Sequence, residues 1–467
     1  MAARRPGIRG PGIVLLLLAA VIVMCAGPAA AAADPMITPA DRASVAAVPG
    51  VVRVAQPEPI ETGLARAEVR GPRGAVSRAA SVGVDDPQAI LIAVPRDGPG
   101  TYRVAWAGMT VDGHPFAGTS VFAVRTASPV AAQAQVPGSD GAGPLAVIAR
   151  LLVLIGVLGM AGLALTREWV LSRAWVTGGL APPGATGGEA LRDRAAAHAS
   201  PYVIGWWRAL WVLLAAWVAG LALALPVQAA AVGGQWSALL GDTRWGAAWI
   251  GLLVLAAAGA LVAAVVRGRD PGLAPSGALL YIIALPGLLG AVLLSWSGHA
   301  ARGTDATLGT ALDIAHGWAT AAWLGGLVML LVLAMPLLAA LGSVDRVRLG
   351  AAIVVRFSTV AVIAVVVLVI TGTYRALAEL PSLSALWSTD YGLALLVKLA
   401  VFAVMLVLAA GNRFVIHPRL ERSALGLAPA DASDGVRALA ASVRVEVLLG
   451  VAVLAAVAVM VVLMPPT

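Results

Sequence analysis

SWSGHAARGTDATLGTALDIAHGWATAAWLGGL, residues 295–327, decides the fold. Its two ends belong to long apolar segments, and its middle, with Arg302 and Asp305, is a short polar connection. The stretch therefore reads as the end of one membrane crossing, a turn, and the start of the next. His299 closes the first segment, and His316 lies about two turns into the second on a helix rising ~1.5 Å per residue. An ionisable ring at membrane depth is costly, and by default it marks a site facing a bundle interior or a water-filled cavity. Its usual employment there is metal ligation or proton transfer.

The same pattern repeats along the chain. With roughly 20 apolar residues needed per crossing, eight segments qualify, near 144–166, 204–227, 246–266, 277–298, 308–337, 353–373, 391–411 and 441–464. Hydrophobic residues make up 60% of the chain and charged residues only 12%. A single soluble domain, with about a quarter of its residues charged, is excluded. The formal charge of +8 does not indicate a nucleic-acid partner, because acidic residues and arginines balance over residues 34–126. The basic excess sits in the first residues and in the membrane half, so the partner it describes is the lipid bilayer.

Ahead of the crossings, Arg4, Arg5 and Arg9, the apolar run 13–24 and the alanines at 29–33 have the layout of a secretory signal over residues 1–33. Cys25, the only cysteine, leaves with it, so no disulfide or thiolate metal site is expected. A lipoprotein reading of Cys25 is disfavoured by the bulky Met24 before it. Residues 34–126 hold short β-type runs (VVRVA, ARAEVRG, AILIAVP, TYRVAWAG, TSVFAV) between Gly, Pro and Asp clusters, which predicts a small antiparallel sandwich or barrel. Residues 127–143 read as a linker, and 144–467 as the membrane domain.

An exported head makes the first crossing run from outside to inside. The arginines agree. Arg167, Arg173, Arg192 and Arg194, then Arg267 and Arg269, Arg346 and Arg348, and Arg413, Arg419, Arg422 and Arg437 follow odd-numbered crossings, whereas Arg244, Arg302 and Arg375 are assigned to outside loops. Both ends of the mature chain are expected outside the cytoplasmic membrane.

Two polar residues join the histidines. Asp313 precedes His316 by three positions, shares its helix face, and is expected to accept a proton from the ring nitrogen not used for ligation. Lys398, the only lysine, falls about two turns into the seventh crossing and is expected to line the same cavity. Each has a plainer reading: an interfacial ring for His299, a structural hydrogen bond for His316, a snorkelling side chain for Lys398. Arg444 and Glu446 read as structural partners of neighbouring helices or loops, and Met160, Met329 and Met335 as core. In the head, VDGHP at 111–115 places Asp112 and His114 two residues apart, so that an extended backbone would point both to one face. Carboxylate plus imidazole suits Cu(II) or Zn. Asp-Gly is also a common turn, and a surface histidine beside one is unremarkable.

PGTYRVAWAGMTVDGHPFAGTSVFAV at 99–124 resembles the C-terminal part of the periplasmic copper-binding family CopC, and ITPADRA at 37–43 is similar to its opening. The membrane half resembles CopD, its inner-membrane partner family. The matching stretches are SGHA at 297–300, His316 with AAWLGG at 321–326, RFS at 356–358, TGTYRA at 371–376, YGLALLVKL at 391–399 and NRF at 412–414. The resemblance implies a Greek-key sandwich of the immunoglobulin or cupredoxin type, followed by an all-α polytopic domain of eight transmembrane helices. It also implies a Cu(II) site built from an N-terminal histidine with Asp112 and His114. Here no histidine precedes His114, and the methionine-rich motif of some relatives is absent.

The reading is a non-enzymatic copper handler. Copper is its ligand, Asp112, His114, His299 and His316 are its candidate metal ligands, and Asp313 and Lys398 support them. Import from the outer side is the expected direction. No GxxxxGK[ST] loop occurs, so this chain does not power transport by its own ATP hydrolysis. Two rivals stay open: a haem held by His299 and His316 in a membrane redox protein, and a copper sensor or assembly scaffold. The sequence names no protein partner.

Overall fold

The computed structural model describes residues 36–125, 143–177, 200–269, 275–298, 306–424, 427 and 432–463. His299, Arg302, Cys25, the signal segment and nearly all of the linker lie outside the described residues.

The head is a two-sheet β domain. One sheet has the order β1(36–38)-β3(51–55)-β7(89–93)-β6(80–82), the other β2(44–45)-β9(115–124)-β8(100–109)-β4(66–70)-β5(76–77). All pairs are antiparallel except β2 with β9, which is parallel, a departure from the purely antiparallel expectation. Alternation drives the layering. Val52, Val54, Ile90 and Ile92 from the first sheet meet Val69, Tyr102, Val104, Trp106 and Phe122 from the second, all buried. Tyr102 and Phe122 are directly opposite in the β8–β9 register, and their rings stack at 5.1 Å. Such cross-strand aromatic pairs fix register as well as adding stability. The tyrosine hydroxyl donates to Gly98 O at 2.9 Å, so the ring is buried without an orphaned polar atom.

Eight helices long and apolar enough to cross a membrane follow: α1(Pro144–Thr177), α2(Tyr202–Ala231), α3(Arg244–Arg269), α4(Ala278–Trp296), α5(Ala306–Ala340), α6(Ser343–Glu379), α7(Asp390–Ser423) and α8(Gly435–Val462). The chain is a multi-pass membrane protein. Its helices outrun the apolar segments, because a helix does not stop at the hydrocarbon boundary. Arg167 and Arg173, Arg346 and Arg348, and Arg413, Arg419 and Arg422 accordingly sit on helix extensions rather than in loops. Arg244 and Arg375, read from sequence as loop residues, are likewise helical. α1 is the central post, packed against α2, α4, α5 and α8. It approaches α5 where Gly162 faces Gly325; a Cβ on Gly162 would come within 2.7 Å of the Gly325 Cα. Small residues at such crossings let two backbones close up, which is how helices gain packing where lipid supplies no hydrophobic drive. Val362, Ile363, Val366 and Ile370 of α6 point outward and exposed, as a lipid-facing strip does.

Met160 and Met329 are fully buried core residues, as expected. Glu446 is buried and accepts from Asn412 and from Ser442 at 3.1 Å, a structural role joining α7 to α8. Arg444 is exposed and makes no pair among the described residues, unlike the expectation for it.

Candidate functional site

The β8–β9 hairpin carries the first candidate pair. Thr110 N donates to His114 O at 2.9 Å and Gly113 N to Thr110 O at 2.8 Å, closing a tight turn at residues 110–114. Gly113 supplies its φ of +90°, a value that disfavours any residue with a Cβ. Asp112 and His114 therefore meet through a turn, not through the alternation of an extended strand. The ring Nδ1 lies 2.8 Å from Asp112 Oδ2, and Thr110 Oγ1 donates to Asp112 Oδ1. The Asp112 and His114 side chains are 1% and 10% exposed.

What buries them is the membrane domain. His114 Nε2 is 2.9 Å from Val461 O, near the end of α8. Gln228, late in α2, donates to Gly113 O, and Arg66 donates to Val232 O. The Arg244 amide donates to Glu61 at 3.1 Å. Leu64 and Met109 of the head join Ala229, Val232 and Leu239 in a small apolar cluster. The head thus caps the ends where α1 and α3 begin and α2 and α8 finish. Burial pulls the His114 pKa down to about 4, helped by the nearby Arg150 charge and opposed by the Val461 carbonyl and Glu58. Burial also raises Glu61, against the Arg244 amide and charge. At neutral pH the His114 ring carries one proton and faces two oxygen acceptors. A metal on either nitrogen would have to displace Asp112 or Val461 from it.

Below the joint, a cavity of about 460 Å³ opens among α1, α4, α5, α6, α7 and α8. Val461 lines it, as do Arg150, Asp313, His316, Arg375, Glu379, Tyr391, Lys398, Met405 and Met460. His316 and Lys398, read from sequence as sharing a cavity, are in it together. Asp313 does not orient His316. Its carboxylate pairs with Arg375, which also holds Glu379 at 2.6 Å, and the Tyr391 hydroxyl donates to Glu379 as well. The residue that orients the ring is Thr371, whose Oγ1 lies 2.8 Å from His316 Nδ1. That hydroxyl donates its own proton to Val367 O at 2.6 Å, so it accepts from the ring. The hydrogen-bond pattern assigns the proton to Nδ1 and leaves the Nε2 lone pair available.

Sequence reading missed Arg150, Thr371, Glu379, Met405 and Met460. Thr371 and Arg375 fall within TGTYRA, and Tyr391 and Lys398 within YGLALLVKL, so part of the signal lay in those stretches. Arg150, two turns into an apolar helix, was legible by the same argument that flags His316. Among the described residues no cluster of three or more His, Cys, Asp or Glu forms a metal cage.

Residues 36–125 match the CopC domain model, and residues 351–460 match that of CopD, copper resistance protein D. The chain joins a CopC domain to a CopD domain. The CopD match covers α6 to α8, and so Thr371, Arg375, Lys398 and Met405. Copper resistance protein D of Pseudomonas syringae pv. tomato is 30% identical over 185 residues, 39% of this chain and 57% of that protein. Copper transport protein CutJ of Bacillus subtilis (strain 168) is 26% identical over 394 residues, 80% of this chain and 66% of that protein. The chain thus spans less than two thirds of either relative. Among solved structures, CopC from Methylosinus trichosporium OB3b is 23% identical, with 19% of this chain and 88% of that chain covered, at a TM-score of 0.18. PcoC, a copper resistance protein from Escherichia coli, is 27% identical over 19% and 95% of the two chains, at a TM-score of 0.17.

Proposed function

We propose that this protein takes up copper at the outer face of the cytoplasmic membrane and passes it inward, with the CopC domain and both chain ends outside. One observation carries the reading: His114 touches the backbone of Val461, a residue that also lines the cavity holding His316. A metal released at the hairpin turn enters that cavity directly. There the His316 Nε2 lone pair is the ready imidazole donor, and the thioethers of Met405 and Met460 are soft donors suited to Cu(I). Asp112 and His114 are the outer pair of ligands, and undocking of the head from Val461 exposes them. His299, which closes the fourth apolar segment of the sequence, is assigned by that position to the same outer region.

The test is copper accumulation in cells carrying His316→Ala, His299→Ala or His114→Ala, against wild type and an empty strain. Accumulation falls furthest in His316→Ala, since that ring lies deepest and water replaces it least well. Wild-type accumulation in both membrane-histidine variants, at matched protein levels, overturns the proposal.

A further inference from the structure

The charges of the cavity do not balance. Both of its carboxylates, Asp313 and Glu379, are engaged by Arg375. Two cations remain. Arg150 has its Nε buried without a hydrogen-bond partner, and Lys398 makes no hydrogen bond or ion pair among the described residues. Unpaired cations inside a mostly apolar membrane cavity are costly, and they are kept where a ligand supplies the missing charge. The volume falls within the roughly 300–1,000 Å³ of small-molecule sites, well beyond what a bare ion needs.

The cavity also reaches the lipid face. α6 packs on α5 and α7 on α8, and α6 meets α7 through residues 412–424 and through Tyr391 on Glu379, so between these two contacts the 390–411 stretch of α7 leaves a cleft against α6. Val369 and Leu377 of α6 and Leu399 of α7 line the cavity yet are 50%, 73% and 49% exposed. These apolar side chains form the sides of a lateral opening, and Lys398 sits one residue inside it. An acyl chain can lie in such a cleft while its headgroup reaches the cations. Guanidinium and ammonium groups are the usual partners of phosphate oxygens.

We propose that the cavity binds a phosphate oxyanion on Arg150 and Lys398, delivered as the headgroup of an anionic phospholipid through the cleft between α6 and α7. The inference does not depend on copper entering the cavity. Its bearing on transport is that the bound anion neutralises the cations an incoming metal ion would otherwise meet.

The experiment uses the full-length, metal-free protein in nanodiscs of phosphatidylcholine with a minor share of phosphatidylglycerol. Lipid retained after mild detergent extraction is quantified by mass spectrometry. A second arm titrates inorganic phosphate into protein in pure phosphatidylcholine discs by calorimetry. Phosphatidylglycerol is expected to be retained above its bulk share, falling about fivefold for each cation removed in Arg150→Gln and Lys398→Gln. Lys398→Arg, which keeps the charge, should hold the enrichment, so a loss seen only in the neutral variants is not a folding defect. Enrichment unchanged in the Arg150→Gln/Lys398→Gln double variant overturns the proposal. So does failure to bind either lipid or phosphate. Saturable phosphate binding without lipid enrichment overturns the lipid source and leaves a soluble oxyanion as the ligand.

Discussion

Replacing Thr371 by valine removes one hydroxyl from a fully packed position and leaves its shape nearly unchanged. Thr371 is 2% exposed, and its Oγ1 both accepts from His316 Nδ1 at 2.8 Å and donates to Val367 O at 2.6 Å. The Val367 carbonyl belongs to the helix and loses only a secondary bond. The ring loses its sole described partner. An imidazole N–H left without an acceptor costs about 1–3 kcal/mol, which the ring avoids by rotating or by moving its proton to Nε2. Either escape removes the lone pair from the cavity. Loss of such an orienting partner typically weakens metal binding 10–100-fold, or roughly 1.4–2.7 kcal/mol. The assay is Cu(I) affinity of the full-length protein in nanodiscs, by competition with a chromogenic chelator, for wild type, Thr371→Val, Thr371→Ser and Asp313→Asn. Thr371→Val should be weak, and Thr371→Ser, which restores the hydroxyl, should recover. Asp313→Asn should bind as wild type, because Asp313 serves Arg375 and not the ring. Wild-type affinity in Thr371→Val, or an Asp313→Asn defect equal to that of Thr371→Val, would refute the reasoning.

Other consequences concern the joint between head and membrane domain. His114 in the docked head has a pKa near 4 against 6.5 when free, so the undocked head binds more protons between those values. Docking is fully stable above pH 6.5 and weakens as pH falls toward 4, by up to on the order of 3 kcal/mol, outweighing the smaller opposite contribution of Glu61. Corrected for the intrinsic pH dependence of amide exchange, the protection factors of the 110–114 turn in metal-free protein should fall as pH drops through that window, and pH-independent protection would count against it. Gly113→Ala sets an L-residue at φ +90°, costing about 1–2 kcal/mol, and drives its Cβ to 2.8 Å from Trp245 Cδ1. Protease access to the joint should increase while the isolated head stays folded, and unchanged access would contradict the packing described. A reporter fused near Arg419 should report cytoplasm, and one after Thr467 the outside, because arginines cluster where the odd-numbered helices end. An inward C-terminus would refute that orientation.

The sequence by itself determined the number of helices long and apolar enough to cross a membrane, the β character of the head and the positions of His316 and Lys398 along their helices. Each is a one-dimensional property: apolar run length counts helices, alternation marks strands, and helical rise converts residue number to position along a helix. It also put Asp112 beside His114, although by the wrong geometry, since a two-residue spacing serves a turn as well as a strand. Only the tertiary structure decided partners. Asp313 shares a helix face with His316, but Arg375 from α6 is the stronger attraction, and the acceptor for the ring comes from Thr371, 55 residues away. The same holds for His114, which meets Val461 across 347 residues. Which charge is left unpaired is likewise a sum over six helices. No local pattern encodes that sum, because electrostatic pairing depends on which surfaces packing brings within a few ångströms.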